Sequence, residues 1–298
     1  MSTTDPTASV TADAEERRPV AGTVPHLAVL GAVRSRLSPH LPRGPYWRLA
    51  KWYAERHAVV VGGFETPVRP YAIRWVDPAD VVRPTGRPYP PWEDRFDQCG
   101  TVVTDDWDRQ PAAVDTEEYP SACIYHADRL DETVLFRSLD AHFTEGVPWV
   151  ETDLVAVASD IVEDGTAVWH DCTSREDVLA RCERMDALWS RLSTESFRSQ
   201  LDLAAAGETD HRVFDDAIRN EIAVDVGRDG EFFLVDGRHR HAMATLLGVE
   251  AIPVVVYARH PEWMTHRDAA AAGGTGTDSS VGDDHPDLRG LRNLSSTR

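Results

Sequence analysis

The sequence predicts an α/β or α+β fold, and three observations carry that expectation. Phe232-Phe-Leu-Val235 and Ile252-Pro-Val-Val-Val256 are short apolar runs of the kind a buried strand needs. Between them Ala242, Met243, Leu246 and Leu247 recur at helical spacing, with Gly248 as a stop. Upstream, apolar stripes of helical period run through residues 45–57 and 173–192, so helices alternate with strands. The expected organisation is a disordered acidic tail at 1–22, an N-terminal α+β region at 23–194, a C-terminal domain at 195–266 and a disordered tail at 267–298. The tails are placed by composition: they are rich in small and acidic residues, and all nine tryptophans lie between them.

Taken in order, Pro45 starts a helix with Leu49, Trp52 and Tyr53 on one side. Arg69 to Val76 reads as a strand that Asp77-Pro78 ends, and residues 83–100, dense in proline and glycine, read as a long loop. Asp131 is placed to cap a helix through Phe143, with Leu135, Leu139 and Phe143 four apart and Gly146 and Pro148 as stops. Thr173 and Glu176 have capping-box spacing ahead of a helix whose stripe is Leu179, Cys182, Met185, Leu188, Trp189 and Leu192. Glu221–Val226 and Glu231–Val235 read as strands joined by the Gly227-Arg-Asp-Gly230 turn. Asp236-Gly237 is a second turn, with Asp236 also placed to cap the helix that follows.

The formal charge is −19, and Lys51 is the only lysine; every other cationic side chain is arginine. Abundant acid with almost no lysine resembles the proteins of salt-loving archaea, whose acidic surfaces stay hydrated in concentrated KCl. Most of the charge then belongs to the solvated surface. Molar salt screens attraction to phosphate within a few ångströms, and the net field repels nucleic acid, so DNA binding is a distant alternative. Cys99, Cys123, Cys172 and Cys182 show no paired spacing, so neither a disulfide framework nor structural zinc is expected. No apolar run approaches membrane-spanning length, and the N-terminus lacks the basic and apolar regions of a secretory signal, so the expected location is the cytoplasm.

The richest stretch is Asp236-Gly-Arg-His-Arg-His241, cationic and imidazole side chains packed into a strand-to-helix turn. A helix N-terminus presents unpaired N–H groups and a partial positive charge, so it suits an anion. Helical spacing sets His239 four before Met243, on the apolar stripe; it reads either as a buried ring holding the turn or as a ligand contact. Arg240 lies at the stripe's edge, where its planar fork could clamp a diphosphate or pair with a carboxylate. Arg238 and His241 fall on the opposite face and are expected to point to solvent. Elsewhere Asp105, Asp106 and Asp108 read as a solvated turn around a core Trp107. His142, Glu145, Trp149 and Glu151 read as a helix end. His170-Asp-Cys172 mixes metal-ligand types at positions that point apart, and His260, Trp263 and His266 are expected at the mouth of the motif's cleft.

The run from Val235 to Val254, with its Asp-Gly-Arg-His-Arg turn, small-residue helix ending at Gly248 and Ile-Pro-Val strand, resembles the signature of the ParB/sulfiredoxin superfamily over roughly Glu221 to Tyr257. The chain is also similar to a group of prokaryotic proteins that share Asp105-Asp-Trp-Asp108, His142 to Thr152 and Arg259-His-Pro-Glu-Trp263, a match that implies architecture and names no reaction. Within the superfamily, sulfiredoxins carry a cysteine where this chain has Arg238, and the partitioning proteins follow the domain with a helix-turn-helix that has no room here. The free-serine kinases remain. Their pattern implies nucleotide phosphates on the His239-Arg240 turn and an upstream glutamate as base; Asp236, His239 and Arg240 match it, while Glu221 fits by position alone and the local pattern around that glutamate is not reproduced. The candidate site is then Gly237, Arg238, His239, Arg240 and His241 for a nucleotide (ATP, ADP or CTP with Mg²⁺), and Asp236 or Glu221 for metal or proton. The expectation is therefore a nucleotide- or phosphate-binding protein, either a phosphotransferase acting on a small hydroxylated metabolite or a non-catalytic regulatory module binding a nucleotide or polyanion.

Overall fold

The computed structural model describes residues 18–19, 43–91, 98–111, 114–273, 284–289 and 291. Helices pack around one mixed sheet, in keeping with the α/β or α+β expectation. Its strands are β1 (Arg74–Val76), β2 (Arg83–Pro84), β3 (Thr101–Val102), β4 (Ile222–Val226), β5 (Phe232–Asp236) and β6 (Ile252–Arg259). They lie in the order β1-β6-β4-β5-β2, with β3 added along β6. β4 and β5 form the expected antiparallel hairpin, β6 runs parallel to β4, and β1 is antiparallel to β6.

The helices are α1 (Arg43–Arg56), α2 (Ala122–Tyr125), α3 (Val134–Phe143), α4 (Asp153–Glu163), α5 (Arg175–Thr194), α6 (Gln200–Ala206), α7 (Phe214–Arg219), α8 (Arg238–Leu246) and α9 (Pro261–Ala271). Both faces of the sheet are covered. Ile222, Val224, Val226, Leu234, Val254 and Val256 join Ala244 of α8 and Trp263 of α9 on one face. Ala223, Val235, Val255 and Tyr257 meet α1, α6 and α7 on the other. This alternation of period two, buried on both sides, explains why the strand sequences read as unbroken apolar runs. A separate core from α2, α3, α4 and α5 takes in Ala242 and Met243 of α8. The motif helix is thus held between the sheet and a helical layer.

Several boundaries differ from the sequence reading. The strand expected from Arg69 shrinks to β1, because Pro70 has no N–H and Ala72 N turns back to donate to Arg69 O (3.3 Å). Within the expected loop at 83–100, Arg83–Pro84 pairs with Phe233–Leu234, while residues 92–97 lie outside the described residues. Thr133, not Asp131, caps α3: its hydroxyl accepts from Phe136 N at 3.2 Å, and Leu130–Glu132 is a separate 3-10 turn. Ser174 caps α5 in place of Thr173, accepting from Asp177 N at 3.1 Å.

The expected tail at 1–22 lies outside the described residues except for Arg18–Pro19, which pairs with Val59–Val60. The expected tail at 267–298 is partly ordered. α9 continues to Ala271, and residues 284–289 and 291 return to the core, where Leu288 and Leu291 are buried with Val76 and Ile252. Composition misled there because a few buried contacts outweigh an acidic, glycine-rich average. No helix among the described residues is long and apolar enough to cross a membrane.

Candidate functional site

Gly237 makes the turn possible. Its φ of +89° is in the left-handed region, and a Cβ there would come within 3.0 Å of Ile222 at the start of β4. Gly237, not Asp236, is the N-cap of α8, and no side-chain cap bond is made there. Asp236 Oδ1 instead lies 3.6 Å from Arg238 Nη1.

His239 is held by a residue far away in sequence. Trp169 Nε1 donates to His239 Nε2 at 2.9 Å, and the two rings stack with centroids 6.0 Å apart. Tyr125 meets the same imidazole edge-on at 5.9 Å. Burial, aided by the charges of Arg181, His170, Arg238 and Arg240, holds the ring well below the usual histidine range. The neutral ring accepts at Nε2, so its proton sits on Nδ1.

Trp169, His170 and Asp171 all adopt positive φ (47°, 61° and 63°). Such a run is strained for L-residues, by roughly 1–2 kcal/mol each, and is kept only where the surroundings dictate it. Here Val168 and Cys172 close the loop with reciprocal backbone bonds of 3.0 and 2.8 Å, and Ser121 Oγ accepts from Trp169 N at 3.0 Å. The loop sets the fully buried Trp169 against His239 and brings the His170 ring to 6.0 Å from it. Arg181 of α5 lies over the Trp169 ring at 5.3 Å, and its buried Nε has no hydrogen-bond partner among the described residues. Arg238 lies over the Tyr125 ring at 5.1 Å.

Arg240 Nη2 donates to Asn220 O, the residue before Glu221. Glu221 is 1% exposed. One carboxylate oxygen accepts from Leu201 N at 3.1 Å, and the other has no partner among the described residues. Burial pushes this carboxyl up to about 7, against the weaker opposing pull of α6 backbone N–H groups and Arg240.

Of the residues expected at the site, Asp236, Gly237, Arg238, His239 and Arg240 come together at one end of α8, with Glu221 adjacent. The solvent-facing placement of Arg238 and His241 is corrected. The Arg238 side chain is 11% exposed, and His241 is 3% exposed. His241 Nε2 donates to Pro78 O at 3.1 Å, and burial drives its pKa down to about 4. The helical layer built from residues 122–194 covers the face that helical spacing left open. His260, Trp263 and His266 do not line this turn. Gly237 abuts Ile222 at the first residue of β4, whereas Arg259 pairs with Val226, the last. The two groups therefore lie at opposite ends of the strand.

Trp169, His170, Arg181 and Tyr125 were not singled out for the site by sequence. Their only signal was polar and aromatic residues at Trp169-His-Asp-Cys172, and nothing local ties them to His239. The remaining candidates are structural. Asp108, 3% exposed, takes Arg228 N, Nε and Nη2 at 2.8, 2.9 and 2.7 Å, so it clamps the hairpin turn and is not solvated, while Trp107 is buried as expected. His142 and Trp149 share Asp186 at 3.1 and 2.9 Å. Among the described residues no three His, Cys, Asp or Glu side chains gather to hold a metal ion.

The site can offer three guanidiniums, a neutral imidazole and the backbone N–H groups of a helix N-terminus, beside the Asp236 carboxylate and the Glu221 carboxyl that burial pushes up to about 7. This chain matches no protein-family model, no curated protein and no solved structure.

Proposed function

We propose that the chain binds a nucleotide or another phosphorylated small molecule at the N-terminus of α8, and that phosphoryl transfer to a small hydroxylated metabolite is the reaction these residues fit. One observation carries the reading: in a chain of net charge −19, Arg181, Arg238 and Arg240 gather around His239 at a helix N-terminus, where Arg238 lies 3.6 Å from Asp236. Arg238, Arg240 and the N–H groups following Gly237 would hold phosphate oxygens. A magnesium ion would come with the nucleotide and neutralise charge on its phosphates, with Asp236 as the carboxylate at hand. Glu221, with one oxygen unpartnered and its pKa about 7, suits the acceptance of a proton from an attacking hydroxyl.

A non-catalytic binding module is the second reading, and one observation favours it: Glu221 already spends one oxygen on the backbone of α6. Equilibrium binding of ATP, ADP and CTP with magnesium in molar KCl, followed by a turnover screen on hydroxylated metabolites, tests both. Magnesium-dependent turnover that Glu221→Gln abolishes establishes the transferase. Binding without turnover leaves the module, and no binding by the folded chain overturns both.

A further inference from the structure

A second group of arginines sits away from this turn, where the returning C-terminal segment enters the core. Asp287 is fully buried. Its carboxylate accepts from Arg259 Nε and Nη2 at 2.8 and 2.6 Å and from Trp263 Nε1 at 3.0 Å. Arg267 Nε lies 3.5 Å and Arg74 Nε 3.7 Å from the same carboxylate. Three guanidiniums thus converge on one negative charge. Arg259 and Arg267 are each 1% exposed, yet Arg259 Nη1, Arg267 Nε and Arg74 Nε have no hydrogen-bond partner among the described residues. The next carboxylate, Asp268, is taken up by Glu65 N and Thr66 N at 2.9 and 2.7 Å, and Arg69 adds a further positive charge near Arg74.

We propose that Arg74, Arg259 and Arg267 form a binding site for a phosphoryl dianion, and that Asp287 occupies it as the chain's own substitute. A carboxylate brings one charge and two oxygens to a site with a surplus of two positive charges and three orphaned N–H groups. A tetrahedral phosphoryl group brings a second charge and a third oxygen, which answers both deficits. A site built only to anchor the segment would not need more guanidinium than the carboxylate can satisfy, since buried unpaired charge is costly.

The substitute is also removable in principle. Asp287 belongs to no strand or helix; its segment is held by the buried Leu288 and Leu291, by His285 stacked on Phe232 at 4.8 Å and by His285 Nε2 on Gly230 O at 2.9 Å. Asp284, His285, Pro286 and Arg289 line, together with Trp75, the neighbour of Arg74, a cleft of about 650 Å³. Asp77, Asp80, Asp229, Glu231, Glu250 and Asp284 line it against Arg83 and Arg289, so it repels a polyanion more strongly than a single phosphoryl group. The site is separate from the turn before α8, and its test is built to tell the two apart.

The full chain carrying Asp287→Ala is titrated with inorganic phosphate and with glycerol phosphate against chloride at equal ionic strength, by calorimetry and thermal melting. The expected result is phosphate binding at least tenfold tighter than in wild type, with a matching rise in Tm. The gain persists in the double variant with Arg240→Ala and falls at least tenfold in the double variant with Arg74→Ala. Binding of both ligands assigns the site to a phosphoryl group on an organic ligand, and binding of inorganic phosphate alone confines it to the free ion. A folded Asp287→Ala chain that binds phosphate no better than wild type overturns the proposal. If that variant folds poorly, its refolding yield is read instead: a yield that phosphate restores and chloride does not supports the site, and equal yields overturn it.

Discussion

Two clusters of arginine sit apart in the molecule, one under the C-terminal segment and one at the N-terminus of α8, and the chain neutralises them in different ways. Under the segment, Arg74, Arg259 and Arg267 close on a carboxylate, fully buried, that the segment delivers. Burial alone would raise the Asp287 carboxyl, but the guanidiniums and their hydrogen bonds hold it well below the usual range. At the α8 terminus, Arg181 and Arg238 rest on aromatic rings and Arg240 on a backbone carbonyl, and the buried acid beside them, Glu221, is pushed up to about 7. One cluster closes on a buried carboxylate. The other pairs Arg238 with the partly exposed Asp236 and has its buried acid withheld, and that is what makes it a candidate site.

The contrast can be tested first through stability. Arg259→Ala leaves Asp287 buried and short of its bidentate partner, so it is expected to cost roughly 3–5 kcal/mol in urea unfolding. Arg238→Ala removes a cation from above Tyr125 and is expected to cost only about 1 kcal/mol. Equal losses would mean the two clusters are built alike.

Glu221 gives the next effect. Its folded pKa of about 7 is raised from 4.5, so its stability contribution is complete below pH 4.5 and is lost as pH rises through 7. Glu221→Gln keeps an oxygen for Leu201 N without a charge to bury. It is expected to be more stable than wild type by about 3 kcal/mol at pH 8, with the gap closing by pH 4.5. Parallel stability curves across that range would show that Glu221 is not a strained acid.

Gly237→Ala combines a left-handed φ with a Cβ contact of 3.0 Å on Ile222, an expected loss of roughly 1–3 kcal/mol, together with a weakening of any phosphate binding at the turn. The smallest effect is expected at a control position. Thr133→Ala removes the α3 cap for about 1 kcal/mol and should leave ligand binding untouched, which a thermal melt and a binding titration would verify together.

The central part of the fold was legible because its signals are local. The hairpin of β4 and β5, the turn at Gly237, α8 and β6 all follow from apolar runs, turn residues and helical spacing within about 40 residues of each other. What stayed hidden depends on segments that arrive from far away. Spacing alone set Arg238 and His241 toward solvent, because nothing near them announces the helical layer that covers α8. The bond from Trp169 to His239 spans 70 residues, and three successive positive φ values at Trp169, His170 and Asp171 have no residue signature such as glycine to betray them. Asp287 sits in a stretch whose average composition reads as a tail, while its burial rests on one carboxylate and two leucines.

The most direct test is a calorimetric titration of the full-length chain with ATP and magnesium, set beside Arg240→Ala and Arg181→Ala. If the α8 terminus is a phosphate site, the wild-type chain binds and each variant, still folded by circular dichroism, loses at least tenfold in affinity. A folded wild type that binds no nucleotide, or variants that bind as well as wild type, would contradict it and leave the turn from Asp236 to His241 as scaffold.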